Sequence, residues 1–182
     1  IRRDDISLAG ALTLKAHVGG TTDNPSVGGT LRAAALTVNA IRIDNVTGDF
    51  SYGGGILRLH KFGFTQDDGT YEAELMHNTV NDRIAARASV KDGSLENIIM
   101  IAKAPLTKVT GRLDGDIIID GTLHNPNARI KGRITQGMLD DHPVDPSDID
   151  VSFEEGVLHV DKLALNAAGG ILAAQGTYAL HG

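Results

Sequence analysis

The chain has 182 residues, 17 Lys+Arg against 23 Asp+Glu for a net charge of −6, 22 Gly, 5 Pro, no Cys and only 4% aromatic residues. This excludes a disulfide scaffold, and without a basic patch or aromatic–basic interleaving nucleic acid is not expected as a partner. No apolar run reaches the roughly 18 residues that a spanning helix needs, and the glycine-rich, aromatic-poor balance favours many short strands joined by turns.

Ile1-Arg2-Arg3-Asp4 reads as a start in mid-protein, as of a piece from something longer. From Ile6 onward Leu8, Gly10, Leu12, Leu14, Ala16 and Val18 alternate without a break, the pattern of a strand with one buried face. Gly19-Gly20 and Asp23-Asn24-Pro25 supply turn chemistry. Leu31 to Ala35 is ambiguous; then Leu36 and Val38, followed by Ile41 and Ile43, alternate with a step of three between the pairs. Val46, Gly48, Phe50 and Tyr52 lead into the Gly53-Gly54-Gly55 turn. Leu57 and Leu59, then Phe62 and Phe64, show the same step of three before Gly69, Tyr71, Ala73 and Leu75. If both halves of such a strand face one interior, the chain must bulge or turn a corner at the step.

Asn78 to Asp82 reads as a turn, and Ile84, Ala86, Ala88 and Val90 as another strand. Leu95, Ile98, Ile99 and Ala102 fall on one face of a helix, which predicts a short helix over 94–103 with Asp92 or Ser94 as N-cap and Pro105 as stop. It either packs its stripe on the sheet or closes over a groove as a lid. Strands resume from Val109 through Ile117, Ile119, Leu123, Ile130, Ile134 and Met138. Residues 140–148 are expected to form an acidic, solvated loop ahead of Ile149, Val151 and Phe153. The last winding runs from Gly156: Leu158 and Val160, a step of three, Leu163 and Leu165, a turn at Gly169-Gly170, then Leu172, Ala174, Gly176, Tyr178 and Leu180.

The windings repeat. Gly55, Leu57, Leu59, Phe62, Phe64, Gly69, Tyr71 and Ala73 match Gly156, Leu158, Val160, Leu163, Leu165, Gly170, Leu172 and Ala174 at a constant 156 − 55 = 101. Asn24-Pro25 and Asn125-Pro126, Gly10 and Gly111, and Gly20 and Gly121 share that offset. Between the Asn-Pro turn and the glycine turn the lengths are expected to drift by a couple of residues.

No catalytic, metal or cofactor site is expected, and the chain does not read as an enzyme. The acidic stretch lacks the D-x-D-x-D-G spacing of a calcium loop, and the seven His are scattered with no H-E-x-x-H pair. The glycine runs lack the Lys-Ser/Thr of a phosphate loop, and there is no G-x-S-x-G. What remains is the apolar stripe. Roughly 12 to 14 strands at about 4.8 Å each make a sheet on the order of 60 Å long. Alternation alone favours a closed sandwich in which the stripe is ordinary core; a curled sheet would make it an open trough.

Gly115-Asp-Ile-Ile-Ile-Asp-Gly-Thr-Leu-His-Asn-Pro126 followed by the winding of 156–180, with weaker copies at Gly10–Pro25 and Gly55–Leu75, resembles the repeats of the TamB family in the AsmA-like group of the diderm bacterial envelope. The resemblance implies an all-β fold: a long curled antiparallel sheet forming an open apolar groove, or β-taco, in repeated windings with the one short helix. The whole chain, 1–182, would be one repetitive domain, with repeats at 10–75 and 111–180 and a linking strand and helix at 76–110. The groove would be lined by Leu57, Leu59, Phe62, Phe64, Tyr71, Ile117, Ile119, Leu123, Phe153, Leu158, Val160, Leu163, Leu165 and Leu172.

The function implied is that of a segment of a periplasmic protein anchored in the inner membrane, whose groove carries phospholipid acyl chains between the two membranes in support of outer-membrane biogenesis. The alternative is a module for translocation and assembly of outer-membrane proteins or autotransporters, docking a barrel-assembly protein of the TamA/BamA type through strand edges. A purely structural rod with a dry core is the third reading, and end-to-end self-association through exposed edges is a further expectation.

Overall fold

The computed structural model describes residues 7–101, 109–140, 142–167 and 170–179. In chain order these form β1 (Leu8–Gly10), β2 (Thr13–Gly20), β3 (Pro25–Val38), β4 (Ile41–Gly53), β5 (Ile56–Gln66), β6 (Gly69–Asn78), β7 (Arg83–Ser94), the helix α1 (Leu95–Ile101), β8 (Val109–Thr122), β9 (Pro126–Leu139), β10 (His142–Val144), β11 (Ser147–Glu154), β12 (Val157–Ala167) and β13 (Gly170–Ala179). All the strands join one antiparallel meander. The fold is an all-β, open, curled sheet of 13 strands with one short helix. Among the described residues no strand closes it, since β2 is bonded to β3 alone and β13 to β12 alone. No helix among them is long and apolar enough to cross a membrane.

The 13 strands occupy eleven rows, because two rows each hold a broken strand. β1 and β2 both lie along β3, interrupted after Gly10, whose φ of 130° only glycine adopts without strain. β10 and β11 both lie between β9 and β12, interrupted at Asp145-Pro146, where proline withholds a ladder donor. The segment expected as a solvated acidic loop is therefore mostly strand. Its Asp148 reaches Arg133 of β9 at 3.2 Å, and its Val144 is buried.

The steps of three resolve in two ways. Between Leu59 and Phe62 and between Val160 and Leu163 the ladder shifts register, as a bulge requires, and Lys61 takes φ 48° to make the first of them. Between Val38 and Ile41 the step is a hairpin instead. Asn39 and Ala40 both take positive φ, at 48° and 71°, which turns the chain in two residues.

The repeat holds residue for residue. β3, β4, β5 and β6 recur as β9, β10 with β11, β12 and β13, each boundary displaced by 126 − 25 = 101. The pairing follows: Gly20↔Pro25 recurs as Gly121↔Pro126, Tyr52↔Leu57 as Phe153↔Leu158, and Ile56↔Asn78 as Val157↔Ala179. The turn before each Pro recurs too, with the Asn24 and Asn125 amides donating to the carbonyls and hydroxyls of Thr21 and Thr122. No length drift separates the copies. β7 and α1 belong to neither copy and connect them.

Burial is concentrated in two small clusters. Ala33, Leu36 and Val46 form one, flanked by Leu31, Ile43, Phe62 and Phe64. Leu95 from α1, Leu113 and Ile134 form the other, flanked by Ile98, Val109 and Ile149. The Ser94 hydroxyl accepts the Asn97 amide at 3.3 Å, capping the helix as its sequence predicts. Leu95 and Ile98 thus pack the helix onto the sheet; the remainder of the predicted stripe and stop, from Ile99 to Pro105, lies outside the described side chains.

Candidate functional site: an open apolar trough

Directly paired residues in a sheet share a face, so the register traces what lies side by side across the molecule. One line runs Ala16, Gly29, Phe50, Leu59, Leu75, Ala86, Ile119, Ala128, Phe153 and Leu158, crossing every row from β2 to β12. A second, on the β6–β12 side, runs Ala73, Ala88, Ile117, Ile130, Val151 and Val160. Phe62 extends it, opposite Ala73 and beside Gly48, whose missing Cβ would sit 3.2 Å from the Phe62 ring. Neither tier contains a polar side chain. At about 4.8 Å per row, the longer spans roughly 45 Å along the trough.

The sheet curls toward this face. Ile117, Ile118 and Ile119 are consecutive on β8: Ile118 on the outer face is 46% exposed, while its neighbours on the tiers are partly buried and less exposed than it is. Concavity accounts for the difference, because among the described residues no second layer covers the middle tiers. The closed sandwich is thereby replaced by an apolar surface that is partly shielded and still reachable.

Of the predicted lining residues, Leu59, Phe62, Ile117, Ile119, Phe153, Leu158 and Val160 lie on the two tiers. Phe64 and Tyr71 pair on the neighbouring tier, stacked with ring centroids 4.6 Å apart, and Leu57 pairs with His77 nearer the opposite rim. Leu123 stands apart: it lies in the turn after β8, 54% exposed, its amide bonded to the Asp82 carbonyl. Leu163, Leu165 and Leu172 hold the expected register, and their side chains lie outside those described. The tier residues missed by sequence reasoning are the small ones, Ala16, Gly29, Ala73, Ala86, Ala88 and Ala128, together with Phe50, Leu75, Ile130 and Val151. Their alternation was visible, but their place in the floor depends on cross-strand register.

Aromatic side chains cluster on β5 and β6. Tyr71 donates its hydroxyl to buried Gln66 at 3.3 Å, and burial pushes the phenol pKa up. Phe62 and Phe64 pack at 5.9 Å, tilted by 57°.

The outer face is charged in rows of alternating sign. Asp49 on β4 is followed by Arg58 and His60 on β5, Glu72 and Glu74 on β6, and Arg83, Arg87 and Lys91 on β7. Next come Asp114, Asp116 and Asp120 on β8, Arg129, Lys131 and Arg133 on β9, and Asp148 and Asp150 on β11. Arg129 and Lys131 reach Asp150 at 3.0 and 3.2 Å and Arg133 reaches Asp148 at 3.2 Å. Hydrogen bonding from Arg129 first, then Lys131, holds the Asp150 carboxyl below the usual range. A shallow depression of about 470 Å³ over β5–β8 is lined chiefly by this face, including Lys61, Glu72, Glu74, Arg87 and Asp116, with signs too mixed to converge on one ligand.

At one rim, Asp82 joins two turns: His77 Nε2 lies 3.1 Å from Oδ1 and His124 Nδ1 lies 2.6 Å from Oδ2. These bonds, His124 first, lower the Asp82 pKa. Among the described residues no group of three His, Cys, Asp or Glu is arranged to hold a metal ion. Comparison with protein-family models, with curated proteins and with solved structures finds no match to this chain.

Proposed function

We propose that the chain is a segment of a conduit for phospholipid acyl chains, of the kind that the TamB-like sequence pattern implies in the periplasm of a diderm bacterium. The observation that carries the reading is the pair of wholly apolar tiers lying uncovered along the concave face. A hidden methylene is worth about 0.8 kcal/mol, so carrying a 16-carbon chain through water costs roughly a dozen kcal/mol, most of which such a floor removes. Side chains of Ile, Leu, Val and Ala give a smooth floor without hydrogen-bonding groups to arrest a sliding chain. The headgroup travels in water along the open side.

The test is native mass spectrometry of the purified protein with lipid extraction of the same sample. Phospholipid in stoichiometric amount is expected, and Ile117→Asp with Ile130→Asp should abolish it while the far-UV spectrum stays that of the native sheet. Folded protein free of lipid, and unable to take it up from vesicles, would sink the conduit.

A further inference from the structure

Among the described residues the outer edge of β2 is unpaired, and its paired counterpart lies in the same molecule. β2 and β3 recur as β8 and β9, and β8 carries β7 along its other side. Among the described residues β2 is bonded to β3 alone, and Leu14 and Val18 are 58% and 77% exposed. Carried back by the 101-residue repeat, the pairs Val90↔Gly115, Ala88↔Ile117 and Ala86↔Ile119 set the same three β7 positions opposite Leu14, Ala16 and Val18. A strand docked there in β7's register extends the apolar tiers by one row.

The outward residues define its chemistry. Where β8 presents Asp114, Asp116 and Asp120 to the cations of β7, β2 presents Lys15 and His17, and Arg32 lies beside it on β3. Among the described residues neither Lys15 nor Arg32 has an ion-pair partner. In a sheet of alternating sign the neighbour that suits this row is acidic.

We infer that the β2 edge is a docking site for an extended, antiparallel segment of another polypeptide in which small aliphatic residues alternate with Asp or Glu. A second copy of β2 fits poorly, because antiparallel self-pairing sets Lys15 and His17 of one strand beside those of the other. The inference rests on an edge and its charges, and is independent of what the trough carries.

Two labelled nonapeptides test it by fluorescence anisotropy. One has the native sequence of residues 83–91; the other carries Arg83→Asp, Arg87→Glu, Ser89→Glu and Lys91→Asp. The acidic peptide is expected to bind about tenfold tighter, with the advantage shrinking at high salt. It should also slow amide exchange over residues 13–20. In the protein carrying Lys15→Glu and His17→Glu, both exposed and outward, the preference should reverse. Equal binding of the two peptides, no binding of either at millimolar concentration, or an unchanged preference in the double variant overturns the proposal.

Discussion

Leu12 and Leu113 occupy the same place in the two copies and live in different surroundings. Leu113 is 2% exposed beneath α1, whereas Leu12, over which no helix stands among the described residues, is 49% exposed. Leu113→Ala should therefore cost about 2–5 kcal/mol of unfolding free energy. Leu12→Ala should change it by no more than about 1 kcal/mol. Urea denaturation of both variants checks the pair, and equal losses would mean that the helix adds nothing to the burial of Leu113. At this scale the sequence supplied the identity of the apolar residues and their alternation. It could not separate Leu12 from Leu113, since what differs is the packing of Leu95 and Ile98 on Leu113. Nor could it place Leu123, which continues the alternation of Ile117 and Ile119 past the end of the strand into a turn.

Strands and turns obey the same limit for a different reason. The step of three between Leu59 and Phe62 and that between Val38 and Ile41 look alike on paper, yet one is a bulge and the other a hairpin. The difference is a single backbone conformation: Lys61 alone turns left-handed in the first, while Asn39 and Ala40 both do in the second. The acidic stretch reads as a loop because Asp and Pro are strand-poor residues; its pairing with β9, with Arg133 across from Asp148, makes most of it strand. The turns at 78–82 and 122–125 are joined through Asp82 in a way no local pattern announces. Because hydrogen bonds from His124 and His77 lower the Asp82 pKa, their stabilising effect is present above the ordinary carboxylate pKa of about 3.9 and is lost as pH falls through the lowered value. Amide exchange at Leu123, corrected for its intrinsic pH dependence, should accelerate below that range. Asp82→Asn, which tolerates the φ of 58° at this position, should show the faster exchange already at neutral pH. An unchanged Leu123 in that variant would leave the two turns energetically independent.

For the whole molecule, the repeat and the all-β class were legible in the residues themselves, and the open curled sheet that the TamB-like pattern implied is the one the chain forms. Alternation alone says that one face is apolar, and the pairing shows that no described strand lies across it. The floor is made shallow by alanine, so Ala86→Leu with Ala88→Leu should raise it and reduce lipid occupancy several-fold in native mass spectra, with the fold retained. In a closed core the same substitutions would overpack and cost about 1–3 kcal/mol. The strand that belongs to neither copy has a further role, one of parity. Each copy fills five rows, an odd number, so a second copy attached directly to the first would either start in the reversed direction or, kept in its own direction, set β8 parallel to β6. Parallel neighbours cannot be joined by a tight turn and require a crossover connection of a dozen or more residues. β7 supplies the sixth row, restores the direction, and lets both copies present the same face to the same side. Such a sheet can gain or lose material only two strands at a time, so viable insertions and deletions in it should come as hairpins, or as a copy together with its spacer.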